Sequence, residues 1–261
     1  MGCSIELLTK SREISIVFSL PVASEQRALQ ALRGSLVVSC QAPHGDPLDD
    51  TETLTHIAVS VLQGGAGGLR AEGAERIASF RTETMLPIIG LLKTQDRDGR
   101  VYITPDFKSA REISDAGADI IALDCTRRRL VEAEPWTEII PRIHEELRRP
   151  VLADIATLED ALAAEAAGAD AVASTLYGYT ADTEGARTIS WALLDSLLNR
   201  LKIPVILEGH VRQPEEIGRA LQSGVHAVVV GAAITCPKSI TARFVAATKL
   251  GNGRESLTQS P

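Results

Sequence analysis

Short apolar runs recur along this chain, and between them apolar residues return every three or four positions. The short runs predict strands buried on both faces, and the longer stretches predict helices packed by one side against them. Eight strands are expected, over residues 36–40, 67–70, 88–92, 120–124, 151–154, 171–175, 205–208 and 227–231. Helices are expected between them, among them 106–116, 158–167 and 214–223, with Asp106 and Thr157 as N-caps. Two repeated devices mark the boundaries. Ala116-Gly117-Ala118-Asp119, Ala167-Gly168-Ala169-Asp170 and Ser223-Gly224-Val225-His226 each put a glycine where left-handed backbone can stop a helix. Pro87, Pro150 and Pro204 each stand at the entry to a strand, a place that tolerates a missing amide proton.

Strands that alternate with helices form a parallel sheet, and eight such units suggest closure into a (β/α)8 TIM barrel. The 261 residues suffice, since that fold needs about 250. A doubly wound open sheet is the alternative, but it calls for a glycine-rich loop after the first strand. Here Ser39-Cys40-Gln41-Ala42-Pro43 follows instead. No linker divides the chain, so 28–250 reads as one barrel domain, 1–27 as an N-terminal extension and 251–261 as a C-terminal tail. The apolar stretch 14–23 follows Lys10 and Arg12 and faintly resembles a signal peptide, which Glu6, Glu13 and Pro21 oppose.

Composition narrows the partners. Apolar residues make up 44% but aromatics only 3%, so the core is aliphatic. No stretch approaches the ~20 apolar residues of a membrane span. A net charge of −7 offers no footprint for nucleic acid or an anionic membrane. The expected partners are a small molecule and, as a homodimer, a second copy. Arg127-Arg128-Arg129 is the one basic run and reads as a solvated loop. Cysteines 3, 40, 125 and 236 have neither metal nor redox spacing, and Cys40 and Cys125 read as buried fillers. This usage suits a reducing cytoplasm.

The strand ends carry the chemistry. Leu86-Pro87-Ile88-Ile89-Gly90-Leu91-Leu92 delivers Lys93, and Pro204-Val205-Ile206-Leu207 delivers Glu208. Strand packing asks for neither charge, whereas barrel active sites are built at the carboxyl ends of strands. Lys93 and Glu208 therefore read as a catalytic base and acid. Lys93 needs burial to lower its pKa for that role. An imine-forming lysine is the rival chemistry, and a lysine reaching to solvent or paired with Glu208 is the structural alternative. Gln41, Arg70, Asp124, Asp154 and Thr175 also end strands, where a strand-end aspartate often does no more than cap the following helix. Gly209 lets a ligand approach closely, and His210 can donate a hydrogen bond. Gly231-Ala232-Ala233-Ile234-Thr235 follows the last strand, where backbone amides bind phosphate in many barrels, or merely make a tight turn. No set of histidines or thiolates marks a metal site.

In order along residues 34 to 245, these segments resemble the N-acetylmannosamine-6-phosphate 2-epimerases, (β/α)8 enzymes of bacterial sialic acid catabolism. The resemblance rests on Val38-Ser39-Cys40-Gln41-Ala42, Gly68-Leu69-Arg70-Ala71-Glu72-Gly73, the run ending in Lys93, and Val101-Tyr102-Ile103-Thr104-Pro105. It continues through Ala153-Asp154-Ile155-Ala156-Thr157, Thr175-Leu176-Tyr177-Gly178-Tyr179-Thr180, Glu208-Gly209 and Val228-Val229-Val230-Gly231-Ala232-Ala233-Ile234-Thr235. It implies interconversion of N-acetylmannosamine 6-phosphate and N-acetylglucosamine 6-phosphate without metal or nucleotide. It also implies that Lys93 and Glu208 are catalytic and that Gln41, Arg70 and Asp154 contact substrate. A phosphate-barrel lyase or synthase and a non-catalytic sugar-phosphate regulator are the alternatives. The chain departs from the family pattern at Cys236, where arginine is usual, and at His210; Lys238 or Arg243 are the candidates to compensate.

Overall fold

The computed structural model describes residues 24–95, 100–128 and 134–255. Cys3, the apolar stretch 14–23, Arg129 and the last part of the C-terminal tail lie outside them. In chain order the elements are α1 (Ser24–Ala31), β1 (Leu36–Ser39), α2 (Thr51–Gln63), β2 (Gly68–Glu72), α3 (Ala74–Glu83) and β3 (Ile88–Leu91). Then come β4 (Lys93–Gln95), β5 (Val101–Ile103), α4 (Phe107–Asp115), β6 (Ile120–Asp124), α5 (Trp136–Arg142) and β7 (Val151–Asp154). They end with α6 (Leu158–Ala166), β8 (Ala171–Ala173), α7 (Trp191–Arg200), β9 (Val205–Glu208), α8 (Pro214–Ser223), β10 (Ala227–Val230), α9 (Ala232–Thr235) and α10 (Pro237–Glu255).

Eight parallel strands close into a barrel in the order β1-β10-β9-β8-β7-β6-β3-β2. All eight expected strands are present. The glycines that stop helices do so with left-handed backbone, φ being 109° at Gly117, 98° at Gly168 and 104° at Gly224. The three strand-entry prolines lose nothing, because each still offers its carbonyl to the neighbouring strand. Pro87, Pro150 and Pro204 accept from the amides of Leu69, Ile121 and Val172 at 3.0 Å each. Asp106 caps α4 by accepting from the Ser109 amide, and Thr157 makes a reciprocal capping box with Asp160 on α6.

Two apolar clusters share the work. One lies between the outer face of the barrel and the helices, with Ile77, Phe80, Ile113, Ile140 and Leu194 among its members. The other fills the barrel and is built of small and branched chains such as Val37, Ile89, Ala122, Ala171 and Ala227. Leu29 and Leu32 belong to this inner cluster. They come from α1 and the turn after it, which plug the amino-terminal mouth. The His226 ring bonds the Leu29 carbonyl at 2.7 Å and the Gly34 amide donates to the His226 carbonyl at 2.7 Å. Helix α1 thus straddles the boundary drawn at residue 27, and α10 continues to Glu255, past the one drawn at 250.

One element has no counterpart in the strand pattern. β4 and β5 pair antiparallel, with Lys93 opposite Ile103, Thr94 opposite Tyr102 and Gln95 opposite Val101. This ribbon stands apart from the barrel sheet. Lys93 therefore opens a new strand instead of finishing β3. Cys40 and Cys125 are fully buried as expected, and burial pushes the Cys40 thiol up to about 12. Among the described residues no helix is long and apolar enough to cross a membrane.

Candidate active site

A cavity of about 900 Å3 opens at the carboxyl ends of the strands. Lys93, Thr175, Glu208, Gly209, His210, Gly231 and Ala232 all line it. Arg70 and Asp154 lie just beneath, buried to 1% and 0% exposure. Gln41 does not line the cavity; its amide donates to the Ser39 hydroxyl at 2.9 Å, and Ser39 lines the wall instead. Asp124 is also off the cavity. It takes the structural alternative, accepting from the Thr126 amide at 3.0 Å and the Thr126 hydroxyl at 2.7 Å to hold the loop after β6.

Arg70 organises the floor. It lies inside a run of four buried β2 residues, Gly68 to Ala71, so its guanidinium has to find partners inside the barrel. Its two terminal nitrogens reach Asp154 at 3.1 and 2.5 Å, and one of them also reaches Glu208 at 2.6 Å. The Thr175 hydroxyl gives its proton to Asp154 at 2.5 Å. Burial opposes the charge on Arg70, but Asp154 and Glu208 outweigh it and hold the guanidinium above its usual pKa. One cation facing two carboxylates leaves a surplus negative charge. Asp154 takes the bidentate share, so Glu208 bears the surplus. Burial, with Asp154 adding to it, raises the Glu208 carboxyl to about 7 against the pull of Arg70.

Lys93 moves the opposite way. Its side chain faces the open cavity, yet the surrounding protein strips enough water to lower the pKa of the amine, with Glu72 opposing and Arg70 assisting. Among the described residues its amine has no hydrogen-bond or ion-pair partner. Each of Lys93 and Glu208 feels the other's charge. The two shifts run toward each other, the lysine's downward and the glutamate's upward. That is the arrangement a reaction needs when it takes a proton from one place and returns it at another.

The ribbon that carries Lys93 is tied at its base. The Thr104 amide donates to the Leu92 carbonyl at 2.7 Å, and the Leu92 amide donates to the Thr104 hydroxyl at 3.3 Å. Thr104 holds φ at 47°, a left-handed value that strains a β-branched residue by about 1–3 kcal/mol. Nothing in residue order marks this strain, and of the rim arginines it singles out only Arg243. Arg187, Arg212 and Arg243 line the cavity. Arg243 donates to the Arg212 carbonyl at 3.1 Å, Arg212 to the Arg187 carbonyl at 3.1 Å, and Arg187 to the Ala186 carbonyl at 2.8 Å. None of the three guanidinium groups has a carboxylate partner among the described residues. Three uncompensated cations in a chain of net charge −7 mark the cavity for an anion. The basic run also departs from expectation. Arg127 is exposed, but Arg128 turns inward and lines the cavity.

The family model described as "Putative N-acetylmannosamine-6-phosphate epimerase" matches residues 54–250. A relative from Synechococcus elongatus, named "Putative N-acetylmannosamine-6-phosphate 2-epimerase", is 46% identical over 212 residues, covering 80% of this chain and 91% of its own. One of the same name from Clostridium perfringens is 40% identical over 216 residues, covering 83% of this chain and 97% of its own. The solved N-acetylmannosamine-6-phosphate 2-epimerase from Clostridium perfringens superposes with a TM-score of 0.80 at 39% identity, covering 84% of this chain and 95% of that one. A thiamine phosphate pyrophosphorylase from Pyrococcus furiosus, at 19% identity and a TM-score of 0.54, shares the fold alone.

The Glu208 carboxyl makes stability depend on pH. The native protein keeps this proton up to about pH 7, whereas the unfolded chain releases it near the ordinary 4.5. Below both values the group changes nothing. Between them stability falls as pH rises, by on the order of 3 kcal/mol in all, and above them the loss stays constant. Glu208→Gln has no such titration. The stability of wild type relative to this variant should therefore decline across that window and be flat on either side, as read by urea unfolding at each pH. A difference that ignores pH would mean that Glu208 titrates as an ordinary carboxyl.

Proposed function

The chain belongs to the N-acetylmannosamine-6-phosphate epimerase family, and from that premise we propose that it inverts C2 of an N-acetylated hexosamine 6-phosphate. The substrate pair is N-acetylmannosamine 6-phosphate and its C2 epimer, N-acetylglucosamine 6-phosphate. The observation that carries this reading is the opposed pair: a lysine with its pKa pulled down and a glutamate with its pKa pushed up, both facing one cavity.

The chemistry needs nothing beyond these groups. In the open-chain sugar the C1 aldehyde acidifies the neighbouring C2 proton. The neutral Lys93 amine takes that proton, and the electron pair of the broken C–H bond moves into the C1–C2 bond and onto the C1 oxygen. The result is an enolate, because C2 carries nitrogen and not oxygen. Protonated Glu208 delivers its proton to the other face of C2 as the C1 carbonyl re-forms, which inverts the centre and leaves a Glu208 carboxylate beside the Lys93 ammonium. Arg70, Asp154 and Thr175 fix the position and the proton state of Glu208 from below.

Phosphate recognition is assigned to the end of the cavity bounded by Gly209, His210, Gly231 and Ala232. Helix α9 is a single turn of four residues, so it offers amides but little dipole. Charge has to come from side chains. Cys236 cannot supply it; its sulfur meets the Ser239 hydroxyl at 3.1 Å. Of the two candidates to compensate, Arg243 lines the cavity and Lys238 does not. We assign the phosphate to Arg243, with Arg212 and Arg187 beside it. We further propose a homodimer through α10, where Phe244 is 71% and Val245 47% exposed in the single chain.

Incubation with N-acetylmannosamine 6-phosphate in deuterated water should place deuterium at C2 of both epimers, followed by NMR. Folded Lys93→Met should lose this exchange by at least about 10²-fold; exchange near the wild-type rate would remove Lys93 from the role of base. Arg243→Gln should raise KM about tenfold with kcat little changed, the pattern of a contact made equally in ground and transition states. An unchanged KM would move the phosphate elsewhere. Light scattering should give the mass of two chains, and Phe244→Glu should return it to one; a single-chain mass for wild type would end the dimer proposal.

A further inference from the structure

The geometry points to Arg128 as a positioning residue that sets where the Lys93 amine stands, by tying the β4–β5 ribbon to the loop beside Glu208. The amine of Lys93 has no partner of its own among the described residues. Its place is therefore decided by its backbone, and its backbone belongs to a ribbon outside the barrel sheet. Strand β5 is the partner that holds β4 in register, opposite Lys93 at Ile103 and opposite Gln95 at Val101.

Arg128 grips that ribbon from the side. One of its terminal nitrogens donates to the Val101 carbonyl at 3.0 Å, and the guanidinium lies 5.2 Å from the centre of the Tyr102 ring. The other terminal nitrogen donates to the Tyr179 carbonyl at 3.0 Å. Tyr179 in turn stacks its ring on His210 at 5.8 Å and 7°, two residues beyond Glu208. The His210 ring is pinned again by the Tyr177 carbonyl at 3.0 Å. Asp124 anchors the guanidinium to the rim of the barrel at 3.5 Å, and Asp124 is itself held by Thr126. A single planar cation thus joins the lysine's ribbon, the barrel rim and the glutamate's loop.

The side chain is only 18% exposed, and its Nε is buried without a hydrogen-bond partner. A solvated loop arginine would bear no such burial, since water would satisfy that nitrogen. The fork of the guanidinium matters here more than its charge. An ammonium is a compact point and cannot donate to two carbonyls on opposite sides while lying against a ring.

The test is Arg128→Lys, which keeps the charge and loses the fork, with Arg128→Met beside it. The kinetic arm rests on the epimerase reading. Both variants should lower kcat, by on the order of 10²-fold for a displaced base, with KM within about threefold of wild type. A rise in KM with kcat kept would make Arg128 a ligand contact and overturn the proposal, as would Arg128→Lys at the wild-type kcat. The second arm needs no substrate. A brief acetic anhydride pulse at graded pH, read by mass spectrometry, titrates the Lys93 amine. In Arg128→Lys its midpoint should move up toward the ordinary 10.5, because an amine no longer held in place gains water, while Glu72, Arg70, Glu208 and Arg76 around it are unchanged. An unmoved midpoint overturns the proposal. A wild type without epimerase activity but with the shifted midpoint would sink the functional reading and leave the positioning role standing. An active wild type with neither effect does the reverse. If neither variant folds, Arg128 serves the fold and not the lysine, and the proposal falls.

Discussion

A buried arginine governs this site. Among the described residues Arg70 is the only charged side chain in the group of largest fully buried ones, and isolating a guanidinium from water costs several kcal/mol unless its partners are well placed. Those partners come from β7 and β9, so the ion cluster spans the floor of the barrel. Everything above it inherits its charge balance. Asp154 answers Arg70 in full and Glu208 in part, which leaves Glu208 ready to hold a proton at neutrality. Lys93 stands above the same cluster at the open cavity, its pKa lowered by the protein around it. The shifts of both groups thus trace to burial and to the charges gathered on the barrel floor.

The barrel makes room for this by being built of small side chains. Ala122, Ala171, Ala173 and Ala227 sit in the inner cluster where bulkier residues would fill the space. The same thrift with aromatics leaves Tyr179 on the cavity wall and sets Tyr102 against Arg128 and Tyr177 against His210. Stability and chemistry are therefore separated along the barrel axis: aliphatic packing and the α1 plug at one end, ions and rings at the other.

Most of the barrel could be read from residue order. Strand runs, helix-stopping glycines and strand-entry prolines are local signals with local causes, and each appears where those causes put it. Lys93 and Glu208 stood out because a charge at the end of a buried run is out of keeping with its surroundings. The ribbon of β4 and β5 was hidden because strands of three residues show too little alternation to count. Arg128, Arg187 and Arg212 were hidden for a different reason. An arginine in a loop looks the same whether it faces solvent or a cavity, since that depends on where distant loops close. Thr104 and His210 show the same limit in the backbone, as left-handed residues that are not glycine. Their strain comes from tertiary closure and leaves no trace in composition.

The plug formed by α1 also decides traffic. With Leu29 and Leu32 closing the far end and the inner cluster packed between, the described residues leave the chamber one doorway. Each sugar must leave by the route it entered, past the same rim arginines. The two epimers are therefore obligate rivals for one entrance, each blocking the other, and in a crowded pool the direction of net flow is set by whichever is drained downstream.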